Sequence, residues 1–177
     1  LWREYFQRVW QTKKSFIDHD LKNKQENVSN WGIPTSINNA QTTINAIDEG
    51  IKKLKAVGSM HNHLRMYVAS LSCNFGNSHW IHPAQWMYYH LLDGDPASNI
   101  CSWQWVAGAN SAKNYYANQE NINKFCNTNQ LGTVLDYSYE ELEQLDLTDE
   151  FSELVDLKLK TNGMLMRYAI ILLIIRG

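Results

Sequence analysis

Gly58-Ser59-Met60-His61-Asn62-His63-Leu64-Arg65-Met66 is the stretch that decides the fold, together with Leu92-Asp93-Gly94-Asp95-Pro96-Ala97-Ser98-Asn99 and the Trp103-Gln104-Trp105 that follows it. The first stretch reads as a helix that begins behind a glycine. Asn62 and Met66 are four residues apart and therefore share one face of it. The second places two carboxylates on either side of Gly94, where a glycine allows the backbone to run close to a ligand. Trp103 and Trp105, two apart on a helix, point to nearly opposite sides.

Working outward, helical spacing covers 2–16, with Trp2, Phe6, Val9, Trp10 and Phe16 on one side. The stretch 18–34 is polar and broken by Asn30, Gly32 and Pro34, and reads as loop. Ser36 or Asn38 is the expected cap of a helix running to Val57 and ending at Gly58. A second helix is expected over 60–75, stopped by Gly76, and a third over 84–92, with Pro83 at its first turn. A further helix is expected over 99–106, and Ser138-Tyr139-Glu140-Glu141 has the form of a capping box. Alternating β patterns are few and no internal repeat occurs, so the predicted class is all-α.

Composition sets bounds on function. The 177 residues suffice for one domain with a core, and 44% hydrophobic with 19% charged residues is ordinary for a globular chain. Seven Trp and nine Tyr suit stacking on flat ligands or bases, as well as a large core. The net charge of −2 does not describe a basic nucleic-acid binder. Charge is uneven, however: lysines concentrate over 13–55 and carboxylates over 136–156. Three cysteines without a CxxC pair argue against a disulfide framework or zinc site and fit a reducing, cytoplasmic setting. No signal peptide is visible. The opening Leu1-Trp2-Arg3-Glu4 reads as mid-helix and suggests a fragment. The apolar run over 169–175 is shorter than the roughly 20 residues a bilayer span needs, and reads as a packed helix or strand end.

These motifs resemble the photolyase/cryptochrome family, in which a G-x-M-H-N-R-x-R-M helix precedes D-G-D-x-A-x-N and then W-Q-W. Trp2-Arg3-Glu4-Tyr5-Phe6 is similar to the family's W-R-E-F-Y helix. Asp48-Glu49-Gly50-Ile51 through Leu54 is similar to its D-A-x-M-R-x-L segment. Order and spacing agree from Trp2 to Tyr116. The resemblance implies a helical FAD-binding domain over 1–123, truncated on its N-terminal side, with 124–177 left as an unassigned acidic helical tail.

For the cofactor FAD, the resemblance implies contacts from Arg3, Asn62, Arg65, Asp93, Asp95 and Asn99. Asn62 is placed opposite the flavin N5, where an uncharged amide tunes the ring. Arg65 pairs with Asp93, Asp95 accepts from the pyrimidine edge of the flavin, and Arg3 suits its phosphates. Trp103, Trp80 and Trp31 are expected to form the tryptophan chain that reduces the photoexcited flavin. Trp2 and Trp105 would sandwich a flipped-out pyrimidine dimer, and Met66 would touch it.

Asn62, Met66 and Trp105 together favour a cyclobutane pyrimidine dimer photolyase, monomeric and free of membrane. Its reaction passes an electron from light-excited reduced FAD to the dimer and returns it after ring splitting. Against that stand His63 and Lys52 where the family carries arginine, Ser59 where it carries tryptophan, and Tyr115-Tyr116-Ala117-Asn118-Gln119 where it runs toward Y-F-R-I-F-N-P. Losing arginines at the phosphate-binding rim weakens the attraction to DNA. A cryptochrome-like blue-light receptor without repair activity, or an inactive fragment, is the alternative.

Overall fold

The computed structural model describes residues 1–145 and 149–155; the end of the expected tail, 156–177 with its apolar run 169–175, lies outside the described residues. Helices α1 (Trp2–Lys13), α2 (Thr35–Asn39), α3 (Asn45–Val57), α4 (Asn62–Ser70), α5 (Ile81–His90), α6 (Pro96–Val106), α7 (Gln119–Cys126) and α8 (Tyr139–Leu142) account for most of its regular structure. Two residues, β1 (Ile33–Pro34), pair antiparallel with β2 (Leu154–Val155) in the register Ile33↔Val155. The protein is therefore all-α in class, with one minimal ribbon.

Helix α6 lies at the centre, packed against α1, α4 and α5. Its residues are buried nearly all round, from Ala97, Ile100 and Cys101 to Trp103, Gln104 and Val106. A helix with so little solvated surface, Trp105 being its one exposed residue, belongs inside a bundle. It starts earlier than its apolar pattern predicts, because Asp95 is its N-cap, accepting from the Ser98 backbone N–H at 2.9 Å, and Pro96 occupies the first turn.

The helix expected from Ser36 or Asn38 to Val57 is in fact two. Ala40 and Thr43 take left-handed backbone conformations, and neither Ser36 nor Asn38 caps anything. The restart is held by Asp48, which accepts from Thr42 N at 2.8 Å and Thr42 Oγ1 at 2.7 Å. Gly58 does end α3, in the left-handed conformation that favours glycine (φ 68°). α1 likewise stops at Lys13 and passes into a 3₁₀ turn, Lys14–Asp18, leaving Phe16 exposed.

α4 ends sooner than predicted and widens into a π turn, Leu71–Phe75. From that turn Asn74 Nδ2 donates to the carbonyls of Val106 and Tyr115 at 3.2 and 2.7 Å, tying α4 to the chain beyond α6. Helix α7, unmarked in the sequence pattern, is capped by Asn118, which accepts from Asn121 N at 2.9 Å. Tyr67 on α4 donates to Asn121 Oδ1 at 2.7 Å, and burial pushes its phenol well above the ordinary tyrosine range. The Ser138 capping box forms but opens only a single turn. Leu135, Leu142 and Phe151 join the same hydrophobic core as α3 to α6, which therefore continues past residue 123.

Candidate functional site: a cavity between α1, α4 and α6

A cavity of about 240 Å³ opens between these three helices and the turn before α6. Apolar Phe6, Met87, Leu91, Trp103 and Val106 line it together with polar residues from α1, α4, α6 and the turn before α6. Trp103 is almost fully buried in the wall.

Each polar group is held by a specific local device. Arg65 donates from Nε to the Met60 carbonyl at 2.8 Å, and from Nη2 to both Asp93 carboxylate oxygens at 3.0 Å. The Arg65 side chain is 27% exposed and that of Asp93 67%, so the pair lies at the rim and is not a buried bridge. Asp95 is held from two sides: Gln7 Nε2 donates to Oδ1 and Ser98 N to Oδ2. A carboxylate has about four acceptor positions, so two remain for a ligand. Arg3 lines the cavity from the first turn of α1 and has no carboxylate partner among the described residues.

The two asparagines differ. Asn62 is exposed at the mouth, its amide nitrogen 3.9 Å from Met66 Sδ, a weak contact. Asn99 is buried, and its Nδ2 donates to the Ala84 carbonyl at 2.8 Å. That bond fixes the amide plane and leaves the Asn99 carbonyl oxygen as the group available to a ligand.

The structure separates the aromatic residues. Trp2, two-thirds exposed, lines the cavity beside Met66. Trp105 does not line it; its ring packs on Tyr115 with centroids 5.7 Å apart. Trp80 is fully buried, and its indole Nε1 donates to Asp20 Oδ1 at 2.7 Å. Trp31 stands on the surface, stacked on His79 at 4.0 Å and 13° between planes. The His79 ring lies 5.4 Å from that of Trp80, so one histidine bridges the two indoles.

A family model described as the FAD binding domain of DNA photolyase matches residues 1–142. The chain belongs to the photolyase/cryptochrome family. Among its relatives, a deoxyribodipyrimidine photo-lyase of Agrobacterium fabrum is 43% identical over 63 residues, 36% of this chain and 13% of the relative. One from a Synechococcus species is 30% identical over 112 residues, 61% of this chain and 23% of the relative. A chloroplastic/mitochondrial cryptochrome DASH of Solanum lycopersicum is 32% identical over 112 residues, 61% of this chain and 19% of the relative. The matched chain thus spans less than a quarter of each relative's length. No solved structure matches.

The residues present suit a flavin. Ser98 is among the cavity's lining residues, and its Oγ is one of six buried side-chain polar atoms without a hydrogen-bond partner among the described residues. Asp95, Ser98 and Asn99 line the cavity together with apolar Phe6, Met87, Leu91 and Val106, a mixture that suits a flat ring with a polar edge. The volume is below the roughly 300 Å³ at which pockets for whole small molecules begin, so it suits the ring end of FAD and not the entire dinucleotide.

Several residues that build this site were missed in the sequence. Gln104 is buried between Trp103 and Trp105; it accepts from Leu21 N at 3.0 Å and donates to the Ile17 and His19 carbonyls at 2.8 and 3.2 Å. It ties the loop after α1 to α6. Gln7, Asp20 and His79 have no motif of their own. The Asp95 cap was legible, since Asp-Pro followed by Ser is a helix-start signal. At Gly94 a Cβ would lie 3.0 Å from the Tyr88 ring, so the glycine lets that ring pack. Among the described residues no helix is long and apolar enough to cross a membrane.

Proposed function

We propose that this chain is the flavin-holding part of a light-driven enzyme that splits cyclobutane pyrimidine dimers in DNA. The observation that carries the reading is a cavity whose lining brings Asp95, Ser98 and Asn99 together with Trp103. When bound there, FAD would supply light absorption and one-electron chemistry that amino-acid side chains lack.

The chain's own residues then divide the remaining work. The Asp95 carboxylate accepts a ring N–H, and Ser98 Oγ gains the partner it lacks. Asn99, and not Asn62, is assigned to the flavin ring, because it is the buried amide with a fixed orientation. Asn62 and Met66 fall to the substrate side of the mouth. Arg3 offers a free guanidinium to phosphate, and Arg65 does so while held by Asp93. Trp2 stacks on an extruded base, worth roughly 1–3 kcal/mol and set against the few kcal/mol that unstacking costs. Trp103, buried in the cavity's lining, would be the first electron donor, followed by Trp80.

The cryptochrome DASH relative favours a second reading, a cryptochrome-like blue-light receptor without repair activity. The test is to purify the chain with FAD, record the retained flavin absorbance, and then assay a dimer-containing oligonucleotide under blue light. Retained flavin with dimer loss supports the enzyme. Retained flavin without dimer loss favours the second reading. A colourless chain, and an equally colourless protein when the flanking sequence is restored, would sink both.

A further inference from the structure

We propose that Asp20 takes the indole proton of Trp80 when that tryptophan is oxidised, so that buried Trp80, and not exposed Trp31, holds the electron vacancy. The proposal rests on the flavin reading for its natural oxidant, photoexcited oxidised FAD, but its geometry is independent of the cavity.

Trp80 is fully buried, and its only polar side-chain atom, Nε1, donates to Asp20 Oδ1 at 2.7 Å. The other carboxylate oxygen accepts from Gln25 N at 3.0 Å. Gln25, itself buried, holds the register from both ends: its Oε1 accepts from Trp80 N at 3.0 Å and its Nε2 donates to the Ser78 carbonyl at 2.9 Å. Asp20 is therefore clamped against the indole and does not merely visit it. His79 Nδ1 accepts from Ile81 N at 3.3 Å, which leaves the ring proton on Nε2, 3.9 Å from Asp20 Oδ1. Burial holds His79 below the ordinary histidine range, partly offset by Asp20, with His82 adding to the lowering. The neutral ring does not neutralise the carboxylate.

Removing an electron from an indole makes its N–H strongly acidic. A buried radical cation is costly unless its charge is removed or paired. Here the proton has a path already formed. The Nε1–H bond of Trp80 breaks, an O–H bond forms on Asp20, and one electron leaves to the flavin. The pair passes from neutral indole plus carboxylate to neutral radical plus carboxylic acid. An external thiol or similar reductant later returns the electron, and the proton goes back from Asp20. The Trp31 indole nitrogen has no hydrogen-bond partner among the described residues, so no carboxylate is bonded to it as Asp20 is to Trp80.

The experiment is laser flash photolysis of the full chain loaded with oxidised FAD. Transient absorption distinguishes the neutral indolyl radical from its protonated cation. The expected result is a neutral radical that forms more slowly in D₂O. In Asp20→Asn, which keeps an oxygen for Nε1–H but accepts no proton, the radical remains a cation and the solvent isotope effect is lost. Trp31→Phe leaves the neutral radical in place. Wild-type behaviour in Asp20→Asn, or loss of the neutral radical in Trp31→Phe, overturns the proposal. If the chain retains no flavin, the flavin reading fails by itself. The same comparison then uses free riboflavin as photo-oxidant, reading the Trp80 share as wild type minus Trp80→Phe. That share is a neutral radical abolished by Asp20→Asn, or the proposal falls.

Discussion

The cavity between α1, α4 and α6 and the cluster around Trp80 are built from similar residues, a carboxylate, an amide and a tryptophan, yet they are finished differently. Around Trp80 the polar side chains answer one another: Asp20 accepts from the indole, and Gln25 uses both ends of its amide. In the cavity, Ser98 Oγ has no partner, Asp95 keeps spare acceptor positions, and Arg3 has no carboxylate partner among the described residues. A closed network holds its geometry without help, whereas an open one is completed by what it binds. The contrast separates the region that serves as scaffold from the one that serves as receptor, and substitutions should respect the division.

The largest effect is expected where a closed network is cut at the centre. Gln104→Leu removes the partner of Leu21 N and of the Ile17 and His19 carbonyls in one step. Each buried group left unpaired costs about 1–3 kcal/mol, so a loss of about 2 kcal/mol or more is expected in urea unfolding. A loss below about 1 kcal/mol would show that water enters there and that the network is not closed.

Asp95 belongs to both regions and divides them. Asp95→Ala loses the α6 cap, about 1 kcal/mol, whereas Asp95→Asn keeps a capping oxygen and should lose only a few tenths. Both should weaken FAD by tenfold or more in a fluorescence titration, since neither offers a carboxylate to a ring N–H. Equal flavin affinity in Asp95→Asn and wild type would mean that the residue is only a cap.

That dual use explains what could be read in advance. The elements near the motifs follow from local signals: Gly58 ends α3, Pro83 stands in the first turn of α5, and Ser138 caps α8. The break at Ala40–Thr43 was hidden because Ile37, Ala40 and Ile44 keep helical spacing across a turn held by Asp48, a contact no periodicity reports. In the site, Asp93, Asp95 and Arg65 were legible as charged residues in a motif. Gln7, Asp20, Gln25 and Gln104 act over separations of 53 to 88 residues in sequence, and a lone polar residue carries no mark of a distant partner.

A smaller effect concerns pH. Burial lowers the pKa of His79 in the closed region and of His90 at the end of α5, below the ordinary value of 6.5. Below 6.5 the unfolded chain therefore binds more protons than the folded one, and stability falls as pH falls. Melting temperature should drop between pH 7.5 and pH 5.5. His90→Asn should flatten that slope, and a slope unchanged in this variant would assign the loss to other groups.

The smallest effect on stability is expected at the rim. Arg65 and Asp93 make a two-oxygen contact, but Asp93 is largely exposed, and pairs of this type contribute about 0–1 kcal/mol. Asp93→Asn should leave urea unfolding within about 0.5 kcal/mol of wild type. Its consequence belongs to the receptor side instead. Freed from the carboxylate, Arg65 keeps only its bond to the Met60 carbonyl, and its guanidinium can turn toward an added anion. Binding of inorganic pyrophosphate, measured by calorimetry, should therefore strengthen in Asp93→Asn and disappear in Arg65→Met. If Asp93→Asn instead destabilised the chain by more than about 1 kcal/mol, the pair would belong to the scaffold, and the boundary between the two regions would have to move outward to include it.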